Sequence, residues 1–166
     1  LDMMRYFQKA MRRAHIDICY SEGFSHHQIM YFAAPLGVGI TSDGEYLDIE
    51  VNASESSEAS MKALHATMVD GVMVTSYVRL PDDAKTAMSI VAAADYRLSY
   101  KEGYESPYTT SQWKEIVQKH FTEQPKFLIV KKTKKSEREV DLKPLVYQFF
   151  VEGDENAPQF HISVST

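Results

Sequence analysis

The chain has 166 residues, 44% of them apolar and 25% charged, with a net charge of −5. That length supports one large domain or two small ones with real cores, and the net charge excludes a global attraction to polyanions, so any grip on nucleic acid must come from local clustering. The single cysteine, Cys19, excludes an internal disulfide and a multi-cysteine metal or iron–sulfur site, and no apolar run reaches the roughly 18–20 residues that span a bilayer.

Residues 1–14 predict a helix. Met3, Met4, Phe7, Ala10, Met11 and Ala14 recur at helical spacing, while Arg5, Lys9, Arg12 and Arg13 share much of the other side. That basic face is either a solvated surface or a phosphate contact, since arginine forks match phosphate oxygens. Residues 16–19 predict a short strand, with Cys19 as a small packed residue rather than a nucleophile. The next stretch has no counterpart in the chain. Gly23 permits a tight turn. Ser25, His26, His27 and Gln28 form a polar loop tip, residues 29–33 a strand, and Pro35, Gly37 and Gly39 an irregular strand end. Adjacent strand residues point to opposite faces, so His26 and His27 are poorly placed to chelate one ion together. They are weak catalytic candidates, and with Gln28 they read better as ligand or partner contacts.

Residues 45–51 alternate as a strand, with Leu47, Ile49 and Val51 toward the core. The carboxylates of Glu45, Asp48 and Glu50 are then either a chemical set or a solvated edge. Residues 54–68 predict a helix capped by Ser54 or Ser57, with Met61, Leu64, His65 and Met68 inside and Gly71 at its end. A strand follows at 72–78, then an Ala-rich helix at 84–94. Beyond it come a strand at 95–100, a loop at 103–108, and a helix capped by Thr110 or Ser111 that runs to about Phe121. Trp113, Ile116, Val117 and His120 face inward on it. A strand at 126–131, a turn at 132–138, a strand at 140–151 interrupted by Pro144, and a final strand at 159–166 complete the chain.

Lys131, Lys132, Lys134, Lys135 and Arg138 form the densest positive cluster. It is either plain soluble surface or an electrostatic grip on phosphates, and without interleaved aromatics it does not support base reading. A Gly-rich phosphate loop, a paired-histidine zinc helix and a serine elbow are all missing from the sequence.

Residues 1–14, Tyr20-Ser-Glu-Gly-Phe24, Gly44-Glu-Tyr-Leu-Asp-Ile-Glu50 and Glu139-Val-Asp-Leu-Lys-Pro-Leu145 together resemble a bacterial family of unknown function, the radical-SAM-linked domain. Its members are fused to, or encoded beside, an uncharacterised radical S-adenosylmethionine protein. The resemblance covers nearly the whole chain. It implies a strand before residue 1, further sequence after residue 166, and an RNA-related setting, because neighbouring genes often concern RNA processing and ribosomes. It also implies that the iron–sulfur cluster and S-adenosylmethionine belong to the partner, with no cofactor or metal in this domain. The family pattern has a proline at the position of His26 and a small residue at that of Tyr31, which argues against catalysis at this loop tip.

With the implied strand restored, the first half has the ferredoxin-like split βαβ order. The expectation is an α+β protein of two tandem half-domains, residues 1–80 and 95–166, joined by a bridging helix at 81–94, with the second half truncated at its C-terminus. The expected function is an accessory, non-catalytic module in the cytoplasm, acting with a radical SAM partner and binding RNA or presenting an RNA-related substrate. Its contacts would be Arg5, Arg12, Arg13, His26, His27, Gln28, Lys131, Lys132, Lys134, Lys135 and Arg138, converging on one face. Two alternatives stay open. One is an RNA-modifying or RNA-cleaving enzyme that uses a loop histidine with Asp48 or Glu50. The other is a protein-interaction domain docking through Tyr31, Phe32 and Leu36.

Overall fold

The computed structural model describes residues 2–34, 36–37, 39–133 and 136–166. Contacts divide the chain into two compact units, Leu1–Ile90 and Val91–Thr166. Both mix helices with small antiparallel sheets, which is the α+β class.

The first unit starts with α1 (Asp2–Arg13). Its apolar stripe buries Ala10 and Met11 against Ile18, Met30 and Leu64, with Met4, Phe7 and Ala14 alongside. The helix ends in a Schellman turn. The Ile16 N–H donates to the Met11 carbonyl at 3.0 Å, and the His15 N–H donates to that of Arg12 at 3.2 Å. His15 takes the left-handed position usually given to glycine, at φ 55°, and Ile16 reaches back onto the core.

Four short strands follow. β1 (Asp17–Ile18) pairs with β4 (Val51–Ala53), and β2 (Met30–Phe32) pairs with β3 (Leu47–Ile49), both antiparallel. Glu50 joins the two ladders: its carbonyl accepts from the Cys19 N–H at 2.8 Å, and its N–H donates to the Ile29 carbonyl at 3.1 Å. The N–H and C=O of one strand residue point to the same edge. Residues 17–19 and 29–32 therefore lie end to end along one edge of residues 47–53. The chain between them is a side excursion whose ends meet, the Ile29 N–H donating to the Cys19 carbonyl at 2.9 Å and Tyr20 bridging Gln28.

α2 (Ser57–His65) is capped by Ser56, not by Ser54 or Ser57; the Ser56 hydroxyl accepts the Ala59 N–H at 3.1 Å. Leu64 is its core residue. Two expected elements do not form. Residues 72–78 are not a strand: Val74 packs on the core, but its N–H goes to His65 Nδ1 at 3.2 Å instead of a ladder. The helix expected at 84–94, and with it the bridging helix at 81–94, shrinks to α3 (Ala87–Ile90). The Asp48 carboxylate accepts the Ala87 N–H at 2.6 Å, which fixes the start of this turn. Ala93 and Ala94 join β5 (Ala93–Ser99), opposite Ser165 and Val164. Alanine's helix propensity is a weak preference that a ladder overrides.

The second unit centres on a three-stranded antiparallel sheet ordered β5-β9-β8, with β8 (Val146–Asp154) and β9 (Ala157–Ser165) joined by a tight turn. α4 (Thr110–Val117) lies on β8 and β9. Trp113 meets Phe160 and Tyr108 edge-on at 5.1 and 5.2 Å, and its Nε1 donates to Ser106 Oγ at 2.9 Å. The cap is Thr109, in a capping box with Gln112. Thr110 is buried instead, its hydroxyl donating to the Asp154 carbonyl. A wide π turn, Gln118–Thr122, extends the helix and sets Phe121 against Phe149 at 5.3 Å; His120, expected inside, is exposed. The last elements are an antiparallel hairpin, β6 (Leu128–Lys132) and β7 (Glu137–Asp141). Pro144 sits in a short 3-10 turn, Lys143–Leu145, that separates β7 from β8.

Candidate functional site

The excursion between Tyr20 and Gln28 is organised by its own polar groups. Gly23 turns the chain at φ +105°. The Ser21 N–H donates to the His27 carbonyl at 2.9 Å, and the His27 N–H donates to Ser21 Oγ at 3.1 Å. His26 Nδ1 lies 2.7 Å from the Ser21 carbonyl. A carbonyl can only accept, so Nδ1 carries the proton, and neutral His26 keeps its lone pair on Nε2. His27 Nδ1 lies 2.8 Å from Ser21 Oγ and 3.2 Å from the Ser25 carbonyl. Both rings are exposed and held at Nδ1.

Gln28 is not at the tip. It is buried at the base of the excursion, where Nε2 donates to the Gln8 carbonyl and to the Tyr20 hydroxyl, both at 3.3 Å. Its Oε1 is buried with no hydrogen-bond partner among the described residues. The Gln8 carbonyl also accepts from Arg12 Nε at 3.4 Å. The loop base and the basic helix face therefore meet at one backbone oxygen. Arg5 and Lys9 are exposed on the same helix at the three- and four-residue spacings that align with Arg12. Arg13 is turned aside, donating to the Thr67 carbonyl at 3.4 Å. Among the described residues no carboxylate pairs with Arg5, Lys9, Arg12 or Arg13.

The other candidate cations lie in the second unit. Lys131 stands opposite Arg138 in the β6–β7 ladder, and Lys132 stands opposite Glu137, its Nζ 2.8 Å from the carboxylate. Side chains alternate along a strand, so Lys131 and Arg138 share one face of the hairpin with Ile129 and Val140, while Lys132 is on the other. Like charges placed directly opposite are unfavourable unless an anion lies between or over them. Lys134 and Lys135 fall outside the described residues, as does Pro35.

Two of the carboxylates proposed for chemistry are otherwise engaged. Asp48 holds the first turn of α3, and Glu45 accepts from Ser42 Oγ at 2.7 Å. The Cys19 thiol donates to Asn52 Oδ1 at 3.1 Å, and burial with the carboxylates of Glu50 and Asp17 pushes its pKa up, away from thiolate nucleophilicity. A shallow hollow lined by His15, Asp17, Ser54, Glu55, Ser60 and Tyr77 contains none of the predicted contact residues. Among the described residues no three metal-ligating side chains gather, and no helix is long and apolar enough to cross a membrane.

One prominent residue escapes the sequence reading. Phe24, at the tip of the excursion, is fully exposed. Periodicity has no purchase on a single aromatic inside a polar loop, and only its place between Gly23 and Ser25 hinted at a tip position.

Fold and site together define an α+β protein of small antiparallel sheets, with an exposed cationic helix face in its first unit and a cationic hairpin in its second. Residues 1–165 match the family DUF2344, described as an uncharacterized protein conserved in bacteria, and the chain belongs to that family. No curated protein and no solved structure matches the chain.

Proposed function

We propose that the chain is an accessory, non-catalytic module that binds RNA, or presents an RNA-related substrate, to a radical SAM partner in the cytoplasm. The iron–sulfur cluster and S-adenosylmethionine would sit on that partner. The observation that carries the RNA part is the Arg5–Lys9–Arg12 stripe, exposed, without a carboxylate partner among the described residues, and joined to the histidine loop through the Gln8 carbonyl. The facing pair of Lys131 and Arg138 supports it from the second unit. The partner itself comes from the resemblance of residues 1–14, 20–24, 44–50 and 139–145 to the radical-SAM-linked domain. The same proposal keeps ferredoxin-like layers as its framework, supported by α1 and α2 flanking the paired strands of the first unit, although residues 72–78 do not add the expected closing strand.

The test is anisotropy of a labelled single-stranded RNA at low salt. Wild-type protein is expected to bind. Arg5→Glu with Arg12→Glu is expected to lower the affinity at least tenfold, and to reduce the slope of log K against log salt by about 1.4, the loss of two phosphate contacts. Absence of binding at low salt overturns the RNA reading, and failure to co-purify the radical SAM protein from nuclease-treated extract overturns the partner.

A second reading is favoured by the fixed tautomer of His26, which leaves Nε2 as an exposed base. If the loop performs acid–base chemistry on RNA, His26→Ala with His27→Ala abolishes cleavage or modification of the bound strand; retained turnover removes this assignment.

A further inference from the structure

Phe24 stands apart from every other large apolar residue in the loop that carries it. Between Tyr20 and Gln28 the neighbours are Ser21, Glu22, Gly23, Ser25, His26 and His27, so no apolar residue flanks the ring within the loop, and it is fully exposed. It is nonetheless held on an ordered support. The Ser21 carbonyl and hydroxyl clamp both histidines, Gly23 sets the turn, and the buried Gln28 fastens the base to α1. Phe24 is four positions along the chain from either end, Tyr20 or Gln28, so it stands at most about 14 Å from that base. The base itself touches Gln8, three residues after Arg5 and four before Arg12.

We propose that Phe24 is a stacking platform for one base of single-stranded RNA, whose flanking phosphates run along the Arg5–Lys9–Arg12 stripe. The inference rests on the RNA reading above and narrows it to unpaired strands. One isolated ring suits this occupant better than others. A protein hot spot or a membrane anchor needs a cluster of apolar side chains, whereas base stacking needs a single π face next to positive charge. A duplex has its base faces covered by neighbouring bases, and a splayed single strand does not. Stacking is indifferent to base identity, so binding should be sequence-tolerant. The exposed Tyr20 ring at the loop base offers a second face.

The experiment compares a U-rich single-stranded RNA, the same strand in a duplex, and anionic phosphatidylserine vesicles, with wild type, Phe24→Ala, Phe24→Trp and the Arg5→Glu, Arg12→Glu double variant. Phe24 touches nothing that holds the fold, so these loop variants are expected to fold. Phe24→Ala should weaken single-strand binding about 5- to 150-fold, the range one aromatic–base stack supports. Its salt slope should stay unchanged, duplex binding should be little affected, and Phe24→Trp should bind at least as tightly as wild type. If Phe24→Ala binds the single strand like wild type while the arginine variant is weakened, the stacking role is overturned and RNA binding survives. If wild type binds no RNA, both fall. Phe24-dependent retention on vesicles, without RNA binding, assigns the ring to lipid and overturns the proposal.

Discussion

In the first unit Arg5, Lys9 and Arg12 stand on a helix packed against the core through Ala10 and Met11, and their charges meet no described carboxylate. In the second unit Lys131, Lys132 and Arg138 stand on a two-stranded ribbon, where Lys132 is already answered by Glu137. The comparison shows that density of charge along the chain is a poor guide to available charge. Helical periodicity gathers three separated cations onto one line, whereas strand alternation splits a compact run between two faces and pairs part of it. The units also differ in how they are held. The first relies on helix packing over strands of two or three residues, the second on strands of five to nine residues with an aromatic cluster.

The largest test of that contrast is Gly153→Ala. Gly153 has φ +103°, and a Cβ there would meet the Ala157 carbonyl oxygen at 2.5 Å. The substitution combines backbone strain with a clash against main chain, so a loss of about 2–5 kcal/mol is expected, read as faster amide exchange in β8 and β9. Unchanged exchange would show that the turn yields. Acid is the next lever. The N–H groups of Phe127 and Lys143 hold the Asp141 carboxyl below its usual range, and the Thr109 and Ser111 hydroxyls do the same for Glu155. For both, the folded pKa is depressed, so the unfolded chain takes up protons first. The stability they add is complete above the ordinary carboxylate range of about pH 4, and fades as pH falls through the lowered values. Asp141→Asn with Glu155→Gln should flatten the acid limb of a melting-temperature profile; an identical limb would remove these two groups as its source. His15→Gly sharpens the picture of the first unit. It relieves a non-glycine residue at positive φ and is expected to stabilise by about 1 kcal/mol in denaturant melts, where destabilisation would mean that His15 makes a compensating contact. The smallest effect belongs to Lys132→Gln: its exposed ion pair should contribute no more than about 1 kcal/mol, and a larger loss would mean that the hairpin depends on it.

Much of the architecture was legible because it rests on periodicity. Met3 to Ala14 announced α1, the alternation of Leu47, Ile49 and Val51 announced the 47–53 edge, and Pro144 marked the break before β8. What escaped depended on partners distant in sequence. Residues 84–94 looked helical because nothing local says that Asp48 will cap Ala87 or that Ala93 will pair with Ser165. Val72 to Val78 looked like a strand because branched residues favour one, yet the His65 ring takes the Val74 N–H. At the candidate site the basic helix face was legible from spacing. The burial of Gln28 was not, since it follows from the closure of the excursion between Cys19 and Ile29, which links residues ten apart through a backbone bond. Polar residues in a loop read as a surface tip unless that closure is known.

On the proposed function, α1 and the 20–28 excursion act as one contact surface for a single-stranded polyanion. Amide hydrogen exchange with and without a saturating U-rich RNA tests it most directly. Joint protection of residues 2–13 and 20–28 is the expected result; an RNA-bound protein in which neither segment changes would contradict it.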